Sequence, residues 1–524
     1  MPLPASLANF PRRFLVAALP LLALFGCSQS SMWHGGATSE DAHLFQEAYS
    51  GIVNYYIEPV TPASLALAGL GKLTTVDADL RLEHGQGEVV LHDGSRTTHF
   101  PEPAARDADA WGKLTDAAIT AARGYSPVVA SLSQDHLDEL VIDGSVATLD
   151  RFSHYSAPEI ARERRAARDG FGGIGVALDT SGPDIRVSQV QADTPAAAAG
   201  LRVNDRITAI DGIAITEMPR EQIIEHLRGP VDSTITLAVK RSGGARDLVF
   251  SLQRAHIVPA TVTLEEKDGI AHLRVTSFNQ QTAQSAGELL QQAHRDLGEG
   301  LRGVILDLRG NPGGLLDQSV EVASLFLDGG PVTSTVGRVS ESIQYFSAPH
   351  REVERLPLVV LVNGGSASAS EIVAAALQDT GRAVVVGSAS YGKGTVQNVL
   401  RMPNEGELTI TWARLITPGG YVLHQHGVVP TVCTAKLPDD ARAAAAAVWR
   451  STSLPTPEAM RARAQLNDAD WQKLREGCPG EREDRAIEML AARKLLADPT
   501  LYARALGSVP VGGERPVSTA RVSR

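Results

Sequence analysis

Residues 358–397 read LVVLVNGGSASASEIVAAALQDTGRAVVVGSASYGKGTVQ. The apolar run Leu358 to Val362 feeds a turn of small residues, Asn363 to Ser366. A helical segment follows from near Ala369 to about Gln378, then a second apolar run, Ala383 to Val386. This is a strand–helix–strand pattern. Ser368 stands where the helix begins, and Lys393 lies in the loop after the second strand. In such units chemistry collects at the carboxyl ends of strands.

Working outward, strand candidates at 269–278, 303–309, 358–363 and 383–388 alternate with helix candidates at 280–297 and 314–327. The expected fold class is α/β and multidomain, with a core over 257–432 built on a mainly parallel sheet. Upstream, 171–256 forms a block of its own. It opens on Gly172-Gly173-Ile174-Gly175-Val176 and continues with strands at 185–190, 206–210 and 233–239 and a helix at 219–228. Before it, 41–170 reads as a helical N-terminal region. Helices are expected at 41–57, at 64–73 and around Trp111, with an α/β insertion at 82–140 and a strand at 88–92. Charged, alanine-rich segments at 439–450, 457–476 and 484–506 predict a helical C-terminal region over 433–510, followed by a loose tail at 511–524.

The chain has 524 residues, 43% hydrophobic and 21% charged, enough for about three globular domains. A net charge of −11 and 5% aromatics argue against nucleic-acid binding. Arg12 and Arg13 precede an apolar run, Phe14 to Phe25, too short to span a bilayer. Leu24-Phe25-Gly26-Cys27 resembles a bacterial lipoprotein signal. It implies a signal peptide over 1–26, a lipid on Cys27, a tether over 27–40 and a place on the periplasmic side of a membrane. The alternative is an ordinary cleaved signal. In an oxidising compartment the remaining cysteines, Cys433 and Cys478, are expected to pair. Closing a loop of about 45 residues contributes roughly 4 kcal/mol in the chain-entropy model.

Ser366, Ser368 and Ser370 offer three hydroxyls. A serine at a helix start is often only a cap. The same position exposes backbone N–H groups, such as that of Ala369, to a developing oxyanion, which suits an acyl-transfer nucleophile. Lys393, between Gly392 and Gly394, is either a solvated surface charge or, if desolvated, a neutral amine able to take a proton. Gln397 is placed to hold that amine. Leu308 to Gly314 follows a strand, and Gly313 and Gly314 leave backbone N–H groups open for a second oxyanion donor or simply make a turn. Gly387 to Lys393 matches the start of a phosphate-binding loop, but Gly394 stands where the magnesium-binding hydroxyl belongs. His424 and His426 lack a third ligand nearby, so no metal is expected. His154 with Asp150 sits in DRFSHYSAPE.

Together these stretches resemble the C-terminal processing peptidases, or tail-specific proteases, from about Phe45 to Val432. DLRGNPGGLL, GSASASEIVAAALQD and YGKGTVQ are similar to the family's three active-site stretches. FGGIGV, GLRVNDRITAIDG and LRGP are similar to its embedded PDZ domain. DRFSHYSAPE resembles its DPHSxYLxPxE segment in part: Arg151, Phe152 and Ser156 stand where Pro, His and Leu are usual. Asn204 replaces a frequent glycine. The resemblance implies a serine endopeptidase without cofactor. Ser368 would be the nucleophile, Lys393 the general base and Gln397 its orienter. The N–H groups of Ala369 and of Gly313 or Gly314 would bind the oxyanion. Glu371 and Asp379 would support the site, and His154 would not be a base. The PDZ block would receive a substrate's C-terminus through Gly173, Ile174, Gly175 and Val176, with Ile223, Ile224 and Leu227 as groove or core residues. Expected partners are proteins or peptides with accessible C-termini, the membrane through its anchor, and an adapter or a second copy through the insertion or C-terminal helices. A non-catalytic or autoinhibited PDZ adapter on the same fold is the alternative.

Overall fold

In the computed structural model, the run at 358–362 is the strand Leu358–Val362, inside a six-stranded sheet. The structure describes residues 40–243, 246–351, 353–437, 457–481, 483 and 486–507. Cys27, the signal, the tether, the expected helix at 439–450 and the tail at 511–524 lie outside the described residues. The sheet runs Val262–Lys267, Ile270–Val275, Gly303–Asp307, Leu358–Val362, Val384–Gly387 and Val432–Cys433. Its first pair is antiparallel and every other pair is parallel.

The five residues of the central strand are all buried, and they divide by parity. Leu358, Val360 and Val362 share a core with helices Thr282–Leu297, Leu316–Ser324 and Ala369–Asp379. Val359 and Leu361 share another with Ile487, Ala491 and Leu495 of helix Ala486–Ala497. Period-2 side chains on a sheet covered on both faces give an unbroken apolar run. Part of the C-terminal region is therefore the second cover of this sheet. Pro499 cannot continue the helix before it, and 484–506 divides into Ala486–Ala497 and Pro499–Gly507. The expected helix at 457–476 also divides, because Asn467 accepts the N–H of Asp470 (3.0 Å) and starts Asp468–Gly477. The Cys433–Cys478 disulfide is formed.

Beside this sheet stands an antiparallel one that the sequence did not suggest: Gln344–Ser347, Pro331–Gly337, Glu407–Ile416 and Thr395–Arg401, with His154–Ser156 on the third strand. Leu408 and Ile410 of this sheet pack into the N-terminal region, whose core holds Phe45, Tyr49, Leu65, Trp111 and Val141. The expected helices there are Glu40–Tyr55, Pro62–Gly71 and Ala108–Tyr125. Gly69, an unfavourable residue inside a helix, has a reason: a Cβ there would lie 2.6 Å from the Val141 carbonyl of the crossing helix Gln134–Val146. The insertion carries a small sheet, Arg81–Gly85, Glu88–His92 and Thr97–Pro101.

The PDZ block enters and leaves through a ribbon, Phe171–Gly173 against Ala255–Ile257. Its sheet runs Leu248–Gln253, Thr234–Lys240, Arg206–Ile210, Arg186–Val190 and Val176–Asp179, so the strand after the glycine-rich opening is an edge. Of the groove-or-core candidates, two lie in the core. Ile223 and Leu227, one turn apart on helix Arg220–Leu227, point into the PDZ core, whereas Ile224 is 44% exposed. Ile174 is core as well.

Leu361→Ala would open a cavity under the C-terminal helix. The expected loss is about 2–5 kcal/mol in urea unfolding. A loss below about 1 kcal/mol would mean that this face is not covered.

Candidate active site

The three serines separate cleanly. Ser366 and Ser370 are fully buried. Ser366 Oγ donates to the Leu308 carbonyl (2.8 Å), and Ser370 Oγ donates to that of Asn311 (2.9 Å). Both pin the loop after Gly303–Asp307 against the start of helix Ala369–Asp379. Ser368, partly exposed between them, has φ 56° and ψ −116°. A non-glycine residue in this region carries strain of about 1–3 kcal/mol, held only because its surroundings fix it.

Asn311 does much of that fixing. Its carbonyl also accepts the Ala367 N–H (2.9 Å), its Nδ2 donates to the Val275 carbonyl (2.9 Å), and its Oδ1 accepts the Gly313 N–H (2.8 Å). Gly313, at φ 105°, lies so close that a Cβ would sit 2.8 Å from Ser368 Cβ and 3.0 Å from the Ala369 nitrogen. No larger residue fits beside the serine. The Gly313 N–H is committed to Asn311. The N–H groups of Gly314 and Ala369 carry no such commitment among the described residues. The sequence offered Asn311 only as one letter of a glycine-rich stretch.

Glu371 joins the serine to the lysine. Its carboxylate is fully buried. Oε2 accepts the backbone N–H of Ser368 (2.8 Å) and of Lys393 (2.9 Å). Oε1 accepts the Gly392 N–H (2.7 Å) and the Ser390 hydroxyl. Burial pushes the Glu371 carboxyl up, and these four donors oppose the rise. The Tyr391 N–H adds a further tie to the Ser366 carbonyl (2.9 Å).

The Lys393 amine is half-buried. Desolvation lowers its pKa below the ordinary lysine value, against the opposing charges of Asp150 and Glu371. Nζ lies 5.2 Å from the centroid of the Phe152 ring and, among the described residues, makes no hydrogen bond to Ser368. Phe152 stands edge-on to His424 and beneath Arg151. A cavity of about 600 Å³ opens here, lined by Tyr56, Asp150, Phe152, Thr395, Arg414 and His424 among others. Gln397 is not on the amine. Its Nε2 donates to Thr395 Oγ1 (2.8 Å) and Thr411 Oγ1 (3.2 Å), the threonines of its own and the paired strand.

Asp379 closes the far end of helix Ala369–Asp379, about 16 Å from Ser368 at 1.5 Å per residue. Burial pushes its carboxyl up to about 6, and it accepts the Gly419 N–H (2.9 Å). It holds a turn rather than the reacting centre. His154 contacts the Phe152 carbonyl and Arg164. His426 bonds to the Val422 carbonyl and to Asp468.

Residues 269–434 match the model of peptidase family S41, and 186–241 match that of a PDZ domain. A carboxy-terminal-processing protease of Bartonella bacilliformis is 37% identical over 303 residues, covering 56% of this chain and 69% of the relative. A probable CtpA-like serine protease of Staphylococcus aureus is 32% identical over 304 residues, 57% of this chain and 60% of that relative. Among solved structures, a photosystem II D1 C-terminal processing protease is 25% identical, with a TM-score of 0.38 over 75% of this chain and 92% of its own. On the family-model matches and a relative 37% identical over 69% of its length, the chain belongs to peptidase family S41 and carries a PDZ domain.

Proposed function

We propose that the chain is an exported serine endopeptidase that holds the C-terminal end of an unstructured protein on its PDZ domain and cuts it with a Ser368–Lys393 dyad. The observation that carries this reading is one carboxylate oxygen, Glu371 Oε2, shared by the backbones of both residues. Neutral Lys393 takes the Ser368 proton as Oγ attacks the scissile carbonyl. The N–H groups of Ala369 and Gly314 receive the oxyanion, since Gly313 is engaged by Asn311. The ammonium then protonates the leaving amine. Water hydrolyses the acyl-enzyme in a second cycle through the same lysine. For this the amine leaves the Phe152 face and turns to Ser368, with Gln397 following from its threonines.

The Cys433–Cys478 disulfide supports export to an oxidising compartment, and a lipid on Cys27 would keep the enzyme at the membrane. Substrate partners are polypeptides with free C-termini, added along the edge strand Val176–Asp179. One observation favours a second reading, a PDZ adapter that binds without cutting: the lysine amine lies over the Phe152 ring and, among the described residues, makes no hydrogen bond to Ser368.

An unstructured substrate with apolar C-terminal residues separates the two. The expected result is turnover by the native chain and a loss of at least about 10³-fold in Ser368→Ala. Equal turnover by both would remove the dyad, and binding without turnover would favour the adapter. Because the working form of Lys393 is the neutral amine, kcat/KM falls as pH falls through its lowered pKa. A profile that rises toward acid contradicts a lysine base. In Glu371→Gln one amide hydrogen pair faces N–H donors, so at least one buried donor loses its acceptor. Stability is expected to fall by about 1–3 kcal/mol, with kcat falling alongside. Unchanged kcat in a folded variant would detach Glu371 from the dyad.

A further inference from the structure

Outside the stretches that carry the chemistry, one cation reaches the lysine loop from the C-terminal region. Arg475 lies on helix Asp468–Gly477, beyond the residues that match the family model. Its Nη2 donates to the Ser390 carbonyl (2.9 Å) and its Nη1 to that of His426 (2.6 Å). Ser390 lies three residues before Lys393, and its hydroxyl is a donor to Glu371. The two loops also hold each other. The Ser390 N–H donates to the Val428 carbonyl (3.0 Å), and the Val428 N–H donates to Ser390 Oγ (2.7 Å).

Gly427 reports how tightly these groups converge. A Cβ there would lie 2.7 Å from Arg475 Nη1, 2.7 Å from Ser390 Oγ and 3.1 Å from Glu371 Oε1. Guanidinium, hydroxyl and carboxylate thus border one small space. Burial lowers the Arg475 pKa, and the Glu371 charge opposes that shift. Three residues on one helix face make the contact: Asp468 bonds to His426, Trp471 stacks on the His426 ring (centroids 4.9 Å apart) and Arg475 closes on the two carbonyls. The end of this helix is fastened to the sheet. Cys478 follows three residues after Arg475, donates its N–H to the Arg475 carbonyl (2.9 Å) and is bonded to Cys433. Cys433 pairs with Gly387, immediately before the lysine loop begins.

We propose that Arg475 is a positioning residue for Lys393, and that the Cys433–Cys478 disulfide acts on catalysis by holding Arg475 against the Ser390 and His426 carbonyls. The inference rests on the Ser368–Lys393 reading. Two charge-assisted hydrogen bonds to backbone carbonyls restrict the loop whose last residues present the lysine. Without them the loop samples more positions, and the fraction with the amine aimed at Ser368 falls. The PDZ domain is untouched, so substrate capture stays as it is. Arg475 touches neither substrate nor reacting atoms and works through the loop alone.

The test is a set of variants assayed on the full chain with one unstructured substrate. Arg475→Met is expected to lower kcat about 10- to 100-fold with KM within twofold. Arg475→Lys, which keeps the charge and one donor, is expected to recover part of the loss. Cys433→Ser/Cys478→Ser lowers kcat in the native background and adds nothing once Arg475 is Met. The proposal is overturned by kcat within twofold of native in both Arg475 variants. It is also overturned by a loss from Arg475→Met that tracks only the fraction unfolded at the assay temperature, with no partial recovery in Arg475→Lys. An equal effect of the serine pair in both backgrounds overturns the link between disulfide and arginine. Ser368→Ala run beside them distinguishes the two levels. Native activity in Ser368→Ala removes the dyad itself, whereas an inactive Ser368→Ala beside a fully active Arg475→Met removes only the role of Arg475.

Discussion

A buried carboxylate organises this molecule. Glu371 sits one helical turn after Ser368 and is fully buried, so its oxygens need protein donors. It takes them from the backbone of Ser368, Gly392 and Lys393 and from Ser390. The cost of burying that charge is thereby converted into geometry. A strained serine and a loop lysine, brought from the ends of two parallel strands, are held on one group. Positional precision of this kind is what the proposed nucleophile and base require.

The layers around it serve the same end. The sheet sets the two strand ends side by side. Asn311 and the close approach of Gly313 fix the turn that faces the serine. On the opposite face, the C-terminal helices complete the core through Leu361, Ile487 and Leu495. Through Arg475 the same region touches the lysine loop. The C-terminal region thus completes the core in one part and touches the lysine loop in another. Its disulfide lies between those two duties.

How much of this was legible in sequence follows from the range of each interaction. Ser368, Glu371 and the helix that carries them are neighbours in the chain, and the parallel strands show as β-branched apolar runs. The antiparallel sheet was missed because its strands, such as Pro331–Gly337 with its Thr and Ser, lack a clean alternation, and their pairing with Glu407–Ile416 is distant in sequence. The PDZ helix showed its apolar residues but not which face turned inward, a choice made by the sheet beneath Ile223 and Leu227. Lys393 was legible as a candidate base, but its resting place on Phe152 was not. Nothing in a departure from the usual histidine reveals where a side chain will lie. Arg475 carried no local signal at all.

The most direct measurement is chemical. The full chain is treated with a fluorophosphonate, which phosphonylates activated serines with loss of fluoride, digested, and mapped by mass spectrometry. The expected result is a single adduct, on Ser368, formed more slowly as the pH is lowered. An adduct on another residue, or none on Ser368 in a preparation that is cutting substrate, contradicts the assignment of Ser368 as the residue that Lys393 activates.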